Sequence, residues 1–112
     1  MLNKDYYILL SMVEIIDKII RYTVNYTNAN DFYNNERDYD ATLMNFIVLG
    51  EIIDKLTDEV KDKNPQIEWN KIYGLRNIIA HNYFGVNVDI VWQIALLFIP
   101  KLKNNINELI NK

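Results

Sequence analysis

Residues 69–83 read WNKIYGLRNIIAHNY, and the fold turns on whether this stretch is helical. Trp69, Ile72, Leu75 or Tyr73, and Ile79 recur at steps of three and four. That spacing predicts a helix from about Trp69 to Ala80 or beyond, with these residues as its buried side. The same stretch holds the single histidine of the chain, His81, with Arg76, Asn77 and Tyr83 close by. At about 100° per residue, Asn77 and His81 stack one turn apart, and Arg76 and Tyr83 share another face. Arg76 and His81 point roughly 140° apart, so a straight helix cannot aim both at one small ligand. Either the helix distorts near His81, or a second copy of the chain completes the site.

On the N-terminal side, Leu2, Tyr6, Leu9, Val13, Ile16, Ile20 and Val24 form a stripe that predicts an amphipathic helix from Leu2 to about Asn28. NANDFYNNERDYD, residues 28–40, is rich in turn-forming Asn and Asp and reads as a loop. A second helix is expected from Ala41 to about Lys63, ended by Asn64-Pro65. Gly50 inside it costs about 1 kcal/mol against alanine, which argues for a close backbone approach there. On the C-terminal side, FGVNVD is a connector with Asn87 as N-cap. A fourth helix then starts near Val88, with Ile90, Ile94, Leu97 and Phe98 packing. Pro100 either kinks it or opens a fifth helix carrying Leu102, Ile106, Leu109 and Ile110. No segment alternates with period two. The expectation is an all-α, up-down bundle of four to five helices in a single domain over residues 1–112.

Composition narrows the chemistry. Half of the 112 residues are hydrophobic, enough for one real core. Cysteine is absent, which excludes disulfides and thiol chemistry and suits a reducing cytoplasm. One histidine and no cysteine leave no zinc site of the usual kinds, and no cofactor motif is present. Asp5, Glu14 and Asp17 interrupt the N-terminal apolar run as no signal peptide would, and IVWQIALLFIP is too short to span a bilayer. A net charge of −3 argues against broad nucleic-acid binding but leaves room for a local basic pocket. The expectation is a soluble cytoplasmic protein without a membrane partner.

What remains is the Arg76–His81–Tyr83 group. The plain reading is that His81 caps a helix C-terminus, where the dipole favours it, and that Arg76 and Tyr83 are a solvated pair. The chemical reading starts from histidine as the side chain poised to exchange protons near neutral pH and arginine as the planar donor for phosphate oxygens. Together they suffice for RNA cleavage without a metal: His81 would act on the 2′-hydroxyl or the leaving oxygen, and Arg76 on the charge developing at phosphorus. Asp40 and Glu51 share a helix face but lie three turns apart, about 16 Å, too far for a direct two-carboxylate site.

Arg76, four intervening residues, His81, one residue and Tyr83 resemble the R-x4-H-x-Y motif of HepT-like toxins in the HEPN superfamily. LGEIIDKL at residues 49–56 is similar to that family's Gly-Glu helix, Trp69, Ile72 and Arg76-Asn77 fit its W-x2-I-x3-RN pattern, and Val91-Trp92 with Pro100 resemble its closing segment. The resemblance covers nearly the whole chain. It implies a helical bundle that dimerises so that two motifs line a shared cleft. It further implies a metal-independent endoribonuclease toxin of a type VII toxin–antitoxin system, with a minimal nucleotidyltransferase (MntA-type) as antitoxin partner. In similar systems that partner transfers AMP to the motif tyrosine. Carried over, Arg76 and His81 are catalytic, Asn77 and Tyr83 support them or contact RNA, and Tyr83 is the modification site. The alternative is a non-catalytic helical partner that docks the nucleotidyltransferase.

Overall fold

A computed structural model describes residues 1–112. Its long helices are α1 (Asn3–Thr23), α3 (Glu36–Ile53), α5 (Trp69–His81) and the run formed by α6 (Val88–Gln93) and α7 (Ile99–Ile110); α2 (Ala29–Asn34) and α4 (Asp58–Lys63) are short. There is no strand, as the periodicity predicts. α1 packs on α3, α3 on α5, and α1 on α7, and one core cluster joins them. No helix is long and apolar enough to cross a membrane.

Several expectations need correction. The stretch 28–40 is not a loop. Asn28 accepts a hydrogen bond from the Asp31 amide at 2.8 Å and starts α2; Asn35 accepts from the Asp38 amide at 3.1 Å and starts α3. The residues that read as turn formers are N-caps, which draw on the same side-chain oxygen. Phe32, carried by α2, is fully buried with its ring 5.3 Å from Trp92 and 5.4 Å from Tyr39. The second expected helix is in fact two, because α3 ends at Ile53 and Thr57 caps α4 by accepting from the Val60 amide. Asp5, 1 % exposed, accepts from the Thr57 amide at 3.0 Å and its hydroxyl at 2.7 Å. Those two donors satisfy a buried carboxylate and pin the start of α1 to this break.

The buried faces of α1 and α6 are also rotated from those expected. Leu9 and Ile16 of the α1 stripe are buried, but with Met12, Ile15 and Ile19; Leu2, Tyr6 and Val24 are exposed. Along α6 and the turns that continue it into α7 the core residues are Val91, Trp92, Ala95 and Ile99, while Ile90 and Leu97 are 53 % and 73 % exposed. A wide π turn at Ile94–Phe98 then keeps Val91, Ala95 and Ile99, at successive steps of four, on one side where an α-helix would let them drift. The same turn relaxes the backbone ahead of Pro100, whose ring crowds the preceding turn and which has no N–H to give. The helix therefore continues without a break, and Leu102, Ile106 and Leu109 are buried as expected.

Candidate active site at the end of the fifth helix

α5 buries Trp69, Ile72, Leu75 and Ile79, which decides for Leu75 over the more exposed Tyr73. That packing turns Arg76 toward α3, where Gly50 receives it. A Cβ built on Gly50 would lie 2.4 Å from the Arg76 Cβ and 3.4 Å from the Ile72 carbonyl, so only glycine lets the helices approach this closely. The expected close approach at Gly50 is there, and its occupant is the stem of Arg76.

The guanidinium is held at its far end too. Nη1 donates to Asn77 Oδ1 at 2.8 Å, and Nη2 donates to Glu51 Oε1 at 3.1 Å. Nε is buried with no partner. An arginine offers five N–H groups, and this one is positioned by two of them with the rest uncommitted. The side chain is 27 % exposed, so the group is fixed yet reachable.

His81 is the last residue of α5, exposed, and makes no side-chain hydrogen bond. The helix stays regular through His81 and breaks at Asn82, with φ −147° and ψ 57°. No distortion within α5 offsets the divergence of Arg76 and His81. Asn77 and His81 do lie one turn apart on the helix, as expected.

Tyr83 departs from expectation. It sits in a 3-10 turn, Tyr83–Gly85, beyond the helix end, so the seven-residue spacing from Arg76 no longer implies a common helical face. Its hydroxyl instead donates to Asp40 Oδ1 at 2.6 Å. Burial pushes the Tyr83 phenol well above its ordinary range, and the hydrogen bond to Asp40 and that carboxylate's charge add to the effect. Asp40 and Glu51, on one face of α3, thus grip the two ends of the motif: Glu51 holds Arg76 and Asp40 holds Tyr83. Sequence reasoning noted their shared face but missed these roles; the clue was Gly50, which brings α5 against that face. No three acidic or imidazole side chains converge at a metal-ligand spacing.

Residues 12–109 match the family described as Ribonuclease HepT-like. The chain belongs to that family. Among HepT-like relatives, a chain of Methanocaldococcus jannaschii provisionally named an RNase is 31 % identical over 102 residues, covering 91 % of this chain and 84 % of its own. A second provisionally named RNase from the same organism is 29 % identical over 98 residues, 88 % of this chain and 89 % of its own. A Thermococcus cleftensis chain named a probable ribonuclease HepT is 28 % identical over 107 residues, covering 96 % and 94 %. No solved structure matches significantly.

Proposed function

We propose that this HepT-like chain is a metal-independent endoribonuclease, the toxin of a type VII toxin–antitoxin pair, with Arg76 and His81 as its catalytic residues. The observation that carries the reading is the state of Arg76: its stem is clamped on Gly50, its fork is set by Asn77 and Glu51, Nε is buried, and the second N–H of each terminal nitrogen has no partner in the chain. A phosphate is the natural acceptor for a preorganised planar cation. Stabilising charge that develops at phosphorus demands such fixed donors. His81, exposed and unengaged, is free to take the 2′-hydroxyl proton and to return one to the departing 5′-oxygen. The 2′-oxygen attacks phosphorus, the bond from phosphorus to the 5′-oxygen breaks, and a cyclic phosphate is left. Because Arg76 and His81 diverge on a regular helix, the working unit is a homodimer in which the two copies line one cleft.

Regulation by a minimal nucleotidyltransferase antitoxin completes the reading. AMP on Tyr83 would replace the hydroxyl proton now given to Asp40 with a bulky anion beside an acidic residue, breaking the tie between the turn and α3 and repelling substrate phosphate. The test is cleavage of RNA by the pure protein with and without EDTA. Cutting that survives chelation and leaves cyclic phosphate ends supports the reading; cutting abolished by EDTA contradicts it. Co-expression with a minimal nucleotidyltransferase of the proposed antitoxin type and mass spectrometry should find AMP on Tyr83, and AMP elsewhere or nowhere overturns that part.

A further inference from the structure

Beyond Tyr83 lies a hollow of about 490 Å³, within the range of ligand sites, roughly 300–1,000 Å³. Its walls are aromatic. Tyr33 at the end of α2 stands edge-on to Tyr39 with ring centroids 5.1 Å apart, and Tyr83 stands edge-on to Phe84 at 5.5 Å. Tyr33 is 49 % exposed and Phe84 fully so. The polar side of the hollow is acidic: Glu36 and Asp40 line it, and no Lys or Arg does. These two carboxylates are one turn apart on α3, where like charges disfavour each other, and neither forms an ion pair within the chain. Asp40 gives one oxygen to Tyr83, and Glu36 gives none.

Two carboxylates with no cation beside them disfavour the phosphate of a passing RNA backbone, whereas a nucleobase carries no charge to repel. Flat rings invite stacking, and unengaged carboxylates invite N–H donors. We infer that the hollow bounded by Tyr33, Phe84, Glu36 and Asp40 is a base-recognition subsite for single-stranded RNA, selecting guanine several nucleotides from the scissile phosphate, because Glu36 and the Glu51 that holds Arg76 lie about 22 Å apart along α3. This rests on the ribonuclease reading, since Tyr83 joins the hollow to the motif and the backbone would pass Arg76 while one base turns aside. Single-stranded RNA is read this way, by stacking on aromatic rings and hydrogen bonds to exposed base edges. Guanine presents two adjacent donors, N1–H and the 2-amino group, that one carboxylate can accept together. Cytosine and adenine offer a single amino group, and uracil offers a carbonyl where those amines would be. The chain's acidity then acts as a filter: carboxylates in the hollow turn the backbone away and admit only the base.

The experiment compares sets of RNA oligonucleotides that differ in one base, placed in turn at each of the four positions on either side of the cut, with wild type, Glu36→Gln and Tyr33→Leu. Wild type should favour guanine over uracil by roughly tenfold in kcat/KM, the discrimination of one good edge contact. Glu36→Gln, which can donate as well as accept, should bring the two within about twofold. Tyr33→Leu should raise KM for all four bases by roughly tenfold, the loss of one stacked base, with kcat nearly unchanged. An unaltered base preference in Glu36→Gln overturns the proposal while leaving the ribonuclease reading intact. A change in molecular mass by light scattering in place of a change in preference also overturns it, because the hollow is then a contact between copies. Binding of 2′-O-methyl oligonucleotides, followed by fluorescence anisotropy, separates the two ideas further. If the protein cuts no RNA yet binds guanine-containing oligonucleotides more tightly, and Glu36→Gln loses this, the subsite stands and the ribonuclease reading falls.

Discussion

Phe32 and Phe84 are the same side chain with opposite fates. Phe32 lies in the most polar-looking part of the sequence and is fully buried; Phe84 lies at the end of an apolar run and is fully exposed. What separates them is the backbone on either side. Asn28 and Asn35 cap two successive helices around Phe32, so that its ring is delivered against Trp92 and Tyr39. After His81 the chain leaves its helix in a short 3-10 turn, and no element crosses over Phe84. One region spends its aromatic residues on stability, the other leaves them available for contact.

The sharpest way to break this contrast is Phe32→Ala. It removes a buried ring and leaves a cavity, and should cost about 3–5 kcal/mol, read as a lower urea midpoint. A loss below about 1 kcal/mol would mean that α2 is not part of the core. Gly50→Ala comes next. The new methyl meets the fixed stem of Arg76, not a flexible tip, so the α3–α5 seam must open, at about 1–3 kcal/mol for overpacking; cleavage should fall with it as the guanidinium shifts. A variant as stable and active as wild type would show that the close approach is dispensable.

A subtler effect belongs to Tyr83. Its phenol is raised above the ordinary value by burial and by Asp40. A raised pKa means that the contribution is complete below the unfolded-chain value, about 10, and is lost as pH climbs through the folded value. Wild-type stability should therefore fall more steeply above about pH 10 than that of Tyr83→Phe, measured by denaturation at several alkaline pH values; parallel curves would remove the Asp40 contact from the account. The smallest effect is expected for Phe84→Ala, whose exposed ring should change stability by no more than about 0.5 kcal/mol. A large loss there would show that the ring is covered in solution.

The parts of this molecule legible in the sequence are those where one periodic signal acts alone. The α5 stripe of Trp69, Ile72, Leu75 and Ile79, the Asn87 cap and the Gly50 approach are local facts, and they appear as read. Residues 28–40 were opaque because Asn and Asp favour turns and helix caps through the same hydrogen bonds, and only burial of Phe32 tells the two apart. From Ile94 onward the buried face was misread because a π turn changes the period without marking the residues that carry it. At the site, the motif residues were visible by spacing, but the grips of Glu51 on Arg76 and Asp40 on Tyr83 join positions 25 and 43 apart. Such pairings belong to helix packing, which periodicity within one helix does not encode.

The central claim is that cleavage depends on His81 and Arg76 as chemical groups and not as structural ones. His81 is exposed and makes no side-chain hydrogen bond, so His81→Ala should keep the helical circular dichroism spectrum and the urea midpoint of the wild type. RNA cleavage should nevertheless fall by roughly 10²–10⁴-fold, the contribution of a positioned proton-transfer group. Arg76→Lys, measured beside it, should also cut poorly although charge is kept, because an ammonium cannot reproduce the planar fork. A folded His81→Ala protein that cleaves RNA as fast as wild type would contradict the account.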